Sequence, residues 1–355
     1  MTSQNPNAVA LNGPASEPSG SLPRDRSNQP LISICIPTRN RADCLAVLLH
    51  SIVAQNEPGI QVVISDDASE DHTGQVVAAF RDRLPNILYE RAGVPLRYDR
   101  NVLHVVAMAT GTFCWLFGDD DRMEPGALAS VSEALRIAPT LTGLTTGRIS
   151  YDHKLAETIP VRDLKQNQTT LFSNAGEACL QLLDRLGFLS CQVINRERWQ
   201  MIATENLSPY FAGYVQLYII VRMIQAAPHW EFLADKCVGF RSDNDSFRIL
   251  GMFGRLRMDV CGYEQIIGDV FGRHSEVYRQ AMGEVATTHA RHHIITAKRA
   301  SAPFSFFVEA TALCIRYYWR YPGFWLKTFP VLMMPRFLAL ALRGVYQRLR
   351  SRRKT

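Results

Sequence analysis

The sequence lacks the short motifs that identify several large classes of enzyme. It contains no GxxxxGK[ST] phosphate loop, no GxGxxG after its first apolar run, no GxSxG turn and no HExxH pair. These absences exclude P-loop nucleotide hydrolysis, dinucleotide binding through the usual fingerprint, α/β-hydrolase serine chemistry and HExxH zinc proteolysis. A phosphate group would therefore be held by a metal ion, by arginine, or by both.

Disulfide and targeting signals are also missing. The eight cysteines are scattered and none forms a CxxC pair, so we expect reduced, mostly buried thiols in a cytosolic protein. Residues 1–30 are rich in Asn, Pro, Ser and Gly and lack the apolar core of a signal peptide. They are predicted to form a disordered tail.

The composition indicates a globular protein with one charged end. Of the 355 residues, 47% are hydrophobic, which is enough for one large domain or two smaller ones. The net charge is +6, and residues 343–355 contain six basic residues and no acidic one. This basic tail favours an anionic partner such as a membrane surface. Nucleic acid is not expected, because no zinc finger or RNP signature accompanies the tail.

Short apolar runs alternate with helical spacing in the first third of the chain. Residues 31–36, 60–65 and 113–117 are predicted to be buried strands, and the last should be buried on both faces. Shorter strands are predicted at 87–89 and 96–98, with helices starting at Asp43 as a candidate cap, over 73–80 and over 102–109. This alternation predicts an α/β fold with a mainly parallel sheet flanked by helices.

Acidic clusters follow two of these strands. Asp66 and Asp67 end the second strand, and Asp119, Asp120 and Asp121 follow the run 113–117. Because ligands of open α/β sheets bind at the carboxyl ends of the strands, both clusters should line one cleft.

The acidic triplet 119–121 has two interpretations. Adjacent carboxylates repel one another, and Mg²⁺ shared with substrate phosphates would neutralise them. Alternatively, the triplet is a solvated turn in which Asp120 or Asp121 caps the helix that starts near Pro125.

Four segments in sequence resemble one enzyme family. Residues 37–40, Pro-Thr-Arg-Asn, resemble the P-T-x-N opening of family 2 glycosyltransferases with the GT-A fold, and residues 64–71 resemble their V-D-D-x-S-x-D segment. Residues 98–102 and 109–121 are similar to the branch that includes abequosyltransferase-like enzymes of O-antigen synthesis. Gly118 departs from the family pattern, because the first Asp of LDxDD often stands there.

The resemblance implies a Rossmann-like GT-A fold that binds a nucleotide-sugar donor and Mg²⁺ or Mn²⁺, with inversion at C1 of the sugar. It assigns donor binding to nine residues, which are Pro37, Thr38, Asn40, Asp66, Asp67, Asp99, Arg100, Asn101 and Asp119. It assigns the DxD-type metal site to Asp119, Asp120 and Asp121, with Asp120 aligned best.

The general base is not given by the resemblance, because the family's frequent Glu-Asp pair is not evident before the predicted helix 215–225. We favour Asp243 or Asp245, in a polar loop after the strand-like run 237–240, as the catalytic base. A solvated turn is the alternative for this loop. For the whole chain, the alternative is a catalytically inactive GT-A-fold membrane scaffold.

The C-terminal segment is aromatic, aliphatic and basic. Prolines and charged residues interrupt the apolar run 323–342, so residues 304–355 are predicted to be amphipathic helices lying on a membrane rather than crossing it. The alternative is a helical subdomain packed on the catalytic domain. We expect attachment to the cytoplasmic face of the cell membrane, beside a lipid-linked (polyprenyl) glycan acceptor that the resemblance suggests.

These predictions divide the chain into four parts. They are a disordered tail (1–30), a GT-A nucleotide-sugar-binding catalytic domain (31–235), an acceptor-side helical part (236–303) and the membrane-associated helices with the basic tail (304–355).

Overall fold

The computed structural model describes residues 29–159, 166–244 and 246–338. Three sequence predictions lie largely or wholly outside these ranges. They concern the N-terminal tail before residue 29, Asp245 and the basic tail from Arg343 onward.

The first part of the chain forms four strands and three helices in alternation. They are β1 (Ile32–Thr38), α1 (Ala42–Val53), β2 (Gln61–Asp66), α2 (Thr73–Ala79), β3 (Ile87–Arg91), α3 (Tyr98–Met108) and β4 (Phe113–Leu116). β1 pairs in parallel with both β2 and β4, and β2 pairs in parallel with β3. The α/β alternation read from the sequence is therefore confirmed here.

Two local predictions in this part are wrong. Residues 96–98 form no strand, because Arg97 takes a left-handed φ of 67° and α3 starts at the next residue. Asp43 does not cap α1, which begins one residue earlier, at Ala42, with Arg41 at the cap position and no side-chain cap.

The second part adds five strands and four helices. They are β5 (Arg122–Met123), α4 (Ala127–Ile137), β6 (Gly143–Tyr151), β7 (Thr170–Phe172), α5 (Ala175–Leu186), β8 (Gln192–Asn195), α6 (Arg196–Ile202), α7 (Val215–Ala226) and β9 (Trp230–Arg241). β6 and β9 are parallel, but β8 is antiparallel to β4 and β6, and β5 and β7 are antiparallel to β9.

The strands of the described residues form one mixed sheet in the order β3-β2-β1-β4-β8-β6-β9-β5, with β7 also on β9. The prediction of a mainly parallel sheet is thus corrected to a mixed one. It extrapolated the crossovers of the first part to strands that are joined differently.

The last part of the chain that the structure describes is helical. Its helices are α8 (Gly251–Phe271), α9 (Glu276–Thr287), α10 (His289–Arg299), α11 (Phe304–Tyr318) and α12 (Phe329–Met333), with a 3₁₀ turn at Ser246–Leu250 and a π-helical turn at Phe324–Thr328. Among the described residues, no helix is long and apolar enough to span a membrane. The predicted boundary between residues 235 and 236 falls inside β9, and that between 303 and 304 coincides with the start of α11.

Two apolar cores cover the two faces of the sheet. Alternate residues of β4 show this division, since Cys114 and Leu116 pack with α3, α5 and α7, whereas Phe113 and Trp115 pack with α1, α2 and α4. All four residues of β4 are buried, as its lack of polar alternation predicts. The same layering buries six of the eight cysteines, all of which are unpaired.

Candidate active site

The turns after β1 and β4 meet at the carboxyl ends of these strands. The Thr38 hydroxyl donates a hydrogen bond to Asp119 Oδ2 at 2.7 Å. Arg41 Nη1 lies 2.7 Å from Asp120 Oδ2 and 3.3 Å from Asp119 Oδ1. The acidic triplet is therefore neutralised in part by a guanidinium group from the neighbouring turn.

The three carboxylates of the triplet do not face the same way. Asp121 is 2% exposed, and its two oxygens accept hydrogen bonds from the Ser190 hydroxyl and the Arg241 backbone N–H. Burial, then repulsion from Asp120, raises the pKa of Asp121 to about 8 and that of Asp119 to about 7. The Asp121 side chain thus points into the protein and binds Arg241, the last residue of β9.

Asp120 is the most exposed member of the triplet. Its Oδ2 also accepts from Asn244 Nδ2 at 2.9 Å, while its side chain keeps 19% exposure. No partner of its Oδ1 is found in the described part of the chain. One open carboxylate oxygen fits Mg²⁺ or Mn²⁺ that takes its remaining ligands from water and a diphosphate. Within the described residues, no group of three His, Cys, Asp or Glu side chains forms a complete metal site.

The glycine that departs from the family pattern stands between these oxygens. A Cβ at Gly118 would lie 3.2 Å from Ser190 Oγ, 3.3 Å from Asp120 Oδ1 and 3.4 Å from Asp121 Oδ2. The Gly118 N–H itself donates to Ser190 Oγ at 2.9 Å. An aspartate here would add a fourth carboxylate to a crowded group of oxygens, which explains why glycine suits this position.

Asp66 and Asp67, at the end of β2, accept hydrogen bonds from neighbouring parts of the chain. Asp66 accepts from the Ser69 N–H at 2.8 Å and the Tyr89 hydroxyl at 2.7 Å. Asp67 accepts from the backbone N–H groups of Leu96 and Arg97. Both carboxylates are buried and shape the loops beside the cleft, and their contact with a base or ribose stays a prediction.

Asn40 links the turn after β1 to the loop after β2. Its Oδ1 accepts from the Glu70 N–H at 2.7 Å, and its own N–H donates to Ser69 Oγ at 2.9 Å. Its φ of 52° is left-handed, a conformation that asparagine tolerates well. The neighbouring Pro37 is buried within β1.

Asp99 lies at the start of α3 and caps another segment. Its carboxylate accepts from the backbone N–H groups of Gly213 at 2.9 Å and Val215 at 3.1 Å, where α7 begins. Burial raises the pKa of Asp99. These contacts tie α3 to α7, and a role in donor binding is not needed to explain the residue.

The next two residues also make packing contacts. Arg100 places its guanidinium 5.4 Å from the Phe211 ring centre. Asn101 is buried and exchanges hydrogen bonds with the hydroxyl and carbonyl groups of Ser65. Residues 98–102, the first part of α3, therefore contact both the sheet and the loop before α7.

The loop after β9 folds over the acidic triplet. Arg241 Nε donates to the Asp120 carbonyl at 2.7 Å, and the Asn244 carbonyl accepts from Arg41 Nη2 at 2.8 Å. Asp243 lies between them, exposed and with a left-handed φ of 59°. The predicted base is therefore adjacent in the chain to a side chain that contacts Asp120.

Sequence reasoning missed four residues of this site, which are Arg41, Ser190, Arg241 and Asn244. Arg41 directly follows the Pro-Thr-Arg-Asn motif, so its place in the same turn was a usable signal. The other three lie 69 to 124 residues from the aspartates that they contact. No local pattern indicates such contacts.

Comparison with known proteins places this site in context. Residues 33–169 match the family model described as glycosyl transferase family 2. The chain is 28% identical over 264 residues to abequosyltransferase RfbV of Salmonella typhimurium, spanning 70% of this chain and 78% of that protein. It is also 29% identical to the GalNAc(5)-diNAcBac-PP-undecaprenol beta-1,3-glucosyltransferase of Campylobacter jejuni, but over only 29% of this chain and 34% of that protein.

A solved structure supports the fold. Residues 1–349 of S. aureus TarS in complex with UDP-GlcNAc superpose with a TM-score of 0.54, covering 81% of this chain and 89% of that one. The sequence identity is 15%, so this likeness concerns the fold alone.

Proposed function

We propose that the chain, whose residues 33–169 match the glycosyl transferase family 2 model, moves a sugar from a nucleotide-sugar donor to a lipid-linked glycan acceptor. The reaction inverts the anomeric carbon and depends on Mg²⁺ or Mn²⁺. The observation that carries the proposal is Asp120, which keeps an open carboxylate oxygen where the turns after β1 and β4 meet. The names of the two relatives above support sugar transfer to a glycan. The name of the Campylobacter jejuni relative includes PP-undecaprenol, a lipid carrier, which supports a lipid-linked acceptor.

In this proposal, each residue near the triplet has a separate role. Asp120 contributes the carboxylate of the metal site, and Thr38 and Arg41 hold Asp119 beside it. When bound, the divalent cation offsets the charge that develops on the departing nucleoside diphosphate. Asp121 accepts hydrogen bonds from Ser190 and from the Arg241 backbone, so its place in the DxD-type metal site rests on the family resemblance alone.

The remaining donor-side roles are proposed from the family resemblance. Asp66 or Asp67 recognises the base or ribose from the buried end of β2, and Asn40 shapes the turn that contacts the nucleotide. Asp243 removes the proton of the attacking acceptor hydroxyl. Its side chain is exposed, and it precedes Asn244, which contacts Asp120.

Nucleotide binding tests this proposal most directly. Calorimetry with UDP, GDP, CDP and dTDP, each with and without Mn²⁺, is expected to reveal one nucleotide whose binding Mn²⁺ strengthens. In Asp120→Asn, the same nucleotide should bind with little response to Mn²⁺, because the open ligand oxygen belongs to this side chain. Binding of none of the four would refute the donor class, and binding by the wild type that ignores Mn²⁺ would refute the metal site. Binding without transfer from any matching nucleotide sugar would favour the inactive scaffold.

We also propose that the chain attaches peripherally to the inner face of the cell membrane through residues 304–355. Exposed apolar residues recur at spacings of three and four on α11 and at the residue that follows it, and they form an apolar stripe, which comprises Phe304, Val308, Ala312, Ile315 and Trp319. The opposite face packs into the core through Phe306, Ala310, Cys314 and Tyr318. The helix thus serves the fold and still presents an apolar face outward.

Because α11 packs into the core, the test of attachment leaves α11 intact and removes a segment beyond it. Deletion of residues 339–355 is expected to weaken sedimentation with anionic vesicles, since the tail supplies positive charge to the attachment. Unchanged sedimentation would exclude the tail from the attachment.

A further inference from the structure

Four large apolar side chains are exposed at one end of the helical part. Ile249 is 92% exposed, Leu250 47% and Met252 41%, so they occupy three of four consecutive positions, and Phe304 is 82% exposed. Single exposed apolar residues are ordinary, whereas a group of them marks an interaction site. We call these four residues the mouth patch.

The packing of α10 on α8 brings Phe304 to the same end as the other three. His293 Nε2 lies 2.8 Å from Asp259 Oδ2, and the His289 ring lies 4.8 Å from the Tyr263 ring. From His289 to His293 the number rises by four on α10, while the partner on α8 falls by four, from Tyr263 to Asp259. The two helices are therefore antiparallel. The end of α10 therefore reaches the start of α8, and α11 begins after a short connection.

The position of α11 agrees with this arrangement. Cys261 Sγ and Tyr317 Oη are 3.7 Å apart. Tyr317 is thirteen residues beyond Phe304, the first residue of α11, and Cys261 is ten residues beyond Gly251, the first residue of α8. At the same rise per residue, the starts of the two helices therefore lie within about 5 Å of one level.

The mouth patch lies next to the loop that contacts the acidic triplet. Asn244 contacts Asp120 at 2.9 Å, and the Phe247 ring packs edge-on at 5.0 Å against Tyr98, the first residue of α3. Ile249 follows two residues later. The exposed turn Ser246–Leu250 therefore continues directly from the loop that covers the acidic triplet.

We propose that the mouth patch inserts into the surface of an anionic bilayer, so that the cleft beside Asp120 opens toward the membrane. The patch continues into the apolar stripe of α11, which starts with the same Phe304. Exposed Arg257 and Arg299 lie toward this end of α8 and α10 and favour anionic headgroups. Exposed Asp243 and Glu309 reduce this attraction, so insertion of the apolar side chains dominates.

This orientation deepens the proposed function, on which its catalytic consequence rests. An acceptor carried by a membrane lipid would meet the cleft without leaving the bilayer surface. Vesicle binding itself requires neither a donor nor catalysis, so it can be measured whether or not sugar transfer is found.

The test compares two double variants of the full chain. Ile249→Ser/Phe304→Ser removes the two most exposed members of the patch, and Ile137→Ser/Met201→Ser removes two residues that are 74% and 62% exposed on α4 and α6. In flotation with vesicles of equal parts phosphatidylethanolamine and phosphatidylglycerol, the patch variant should bind at least about tenfold more weakly than the wild type. The control variant should bind as the wild type does, and both should keep the wild-type melting temperature.

A gain of binding provides an independent check that unfolding cannot imitate. Ile249→Trp should bind the same vesicles more tightly, because tryptophan favours the interface between lipid and water. The inference is overturned if the patch variant floats as well as the wild type, if both double variants lose binding equally, or if Ile249→Trp gains nothing. Nucleotide calorimetry on the same proteins reports separately on the proposed function.

Discussion

The turn after β1 and the loop after β9 both bind the acidic triplet, but they reach it by different routes. Residues 38–41 follow a buried strand directly and belong to a recognisable motif. Residues 241–244 come from the far side of the sheet and reach Asp120 across 124 positions of sequence. The first reaches the triplet's carboxylates with a cation, Arg41, whereas the second reaches the Asp120 carboxylate with an uncharged amide and uses the Arg241 guanidinium on the Asp120 backbone carbonyl. A sequence motif thus locates one side of the site, residues 38–41, but does not indicate the residues on the other side, 241–244.

The largest expected effect belongs to Asp120, which both loops contact. Asp120→Ala removes the open ligand oxygen and should lower kcat/KM for sugar transfer by about 10³-fold, the loss that follows removal of one strong electrostatic group from an active site. The matched control is Asp82→Ala, at an exposed carboxylate outside the site. Transfer rates for Asp120→Ala within a few-fold of the control would show that the triplet is structural.

The next effect separates the two loops. Arg41→Ala leaves two carboxylates without their cation and should lower the free energy of unfolding by about 2–3 kcal/mol. Asn244→Ala removes one hydrogen bond from an uncharged amide to the Asp120 carboxylate and should cost less, about 1.5 kcal/mol. Urea denaturation measures both losses of stability. Arg39→Ala is the control, because the Arg39 side chain is 44% exposed and comes no closer than 3.5 Å to Asp67. Equal losses for Arg41→Ala and Asn244→Ala would remove the proposed difference between the two sides of the site.

The charge of Arg41 gives this comparison a second readout. A divalent cation supplies the positive charge that Arg41→Ala loses. Mn²⁺ should therefore raise the melting temperature of Arg41→Ala more than that of the wild type. The same increase in both proteins would show that the cation does not bind beside Asp120.

A smaller effect is expected at Asp99, which the family resemblance assigned to donor binding. Asp99→Ala removes two backbone hydrogen bonds between α3 and α7 and should lower the free energy of unfolding by about 1–2 kcal/mol. Nucleotide affinity should not change, because the carboxylate faces Gly213 and Val215. Lost nucleotide affinity in a fully folded variant would restore the donor-binding role.

The smallest expected effect is a pH dependence of the metal-free protein. The folded-state pKa values, about 7 for Asp119 and about 8 for Asp121, lie above the ordinary value of 3.8. The folded chain therefore keeps protons that the unfolded chain releases, and this part of the stability is lost as the pH rises from about 4 through 8. The melting temperature should fall by a few degrees between pH 5 and pH 8.

Asp121→Asn isolates this contribution, because an amide does not titrate. Its melting temperature should depend less on pH than that of the wild type over the same range. Parallel curves for the two proteins would contradict the raised pKa of Asp121.

Local sequence patterns predicted most elements of the first part of the fold, whereas in the second part they gave bounds only for the helix 215–225 and the strand-like run 237–240, which lie in α7 and β9. β1, β2 and β4 were predicted within two residues of their observed ends, because each is a short apolar run between turn residues. The strand predicted at 96–98 failed because Asp67 holds the N–H groups of Leu96 and Arg97. That tertiary contact shapes the turn that leads into α3.

The sequence by itself determined that the acidic residues follow buried strands, since strand ends are set by local apolar pattern and turn chemistry. It also placed the triplet in a family 2 glycosyltransferase pattern. The tertiary fold, by contrast, leaves Asp120 the most exposed carboxylate of the triplet and turns Asp121 toward Ser190 and the Arg241 backbone. The orientation of a carboxylate depends on which donors surround it, and these donors come from distant parts of the chain that folding alone brings together.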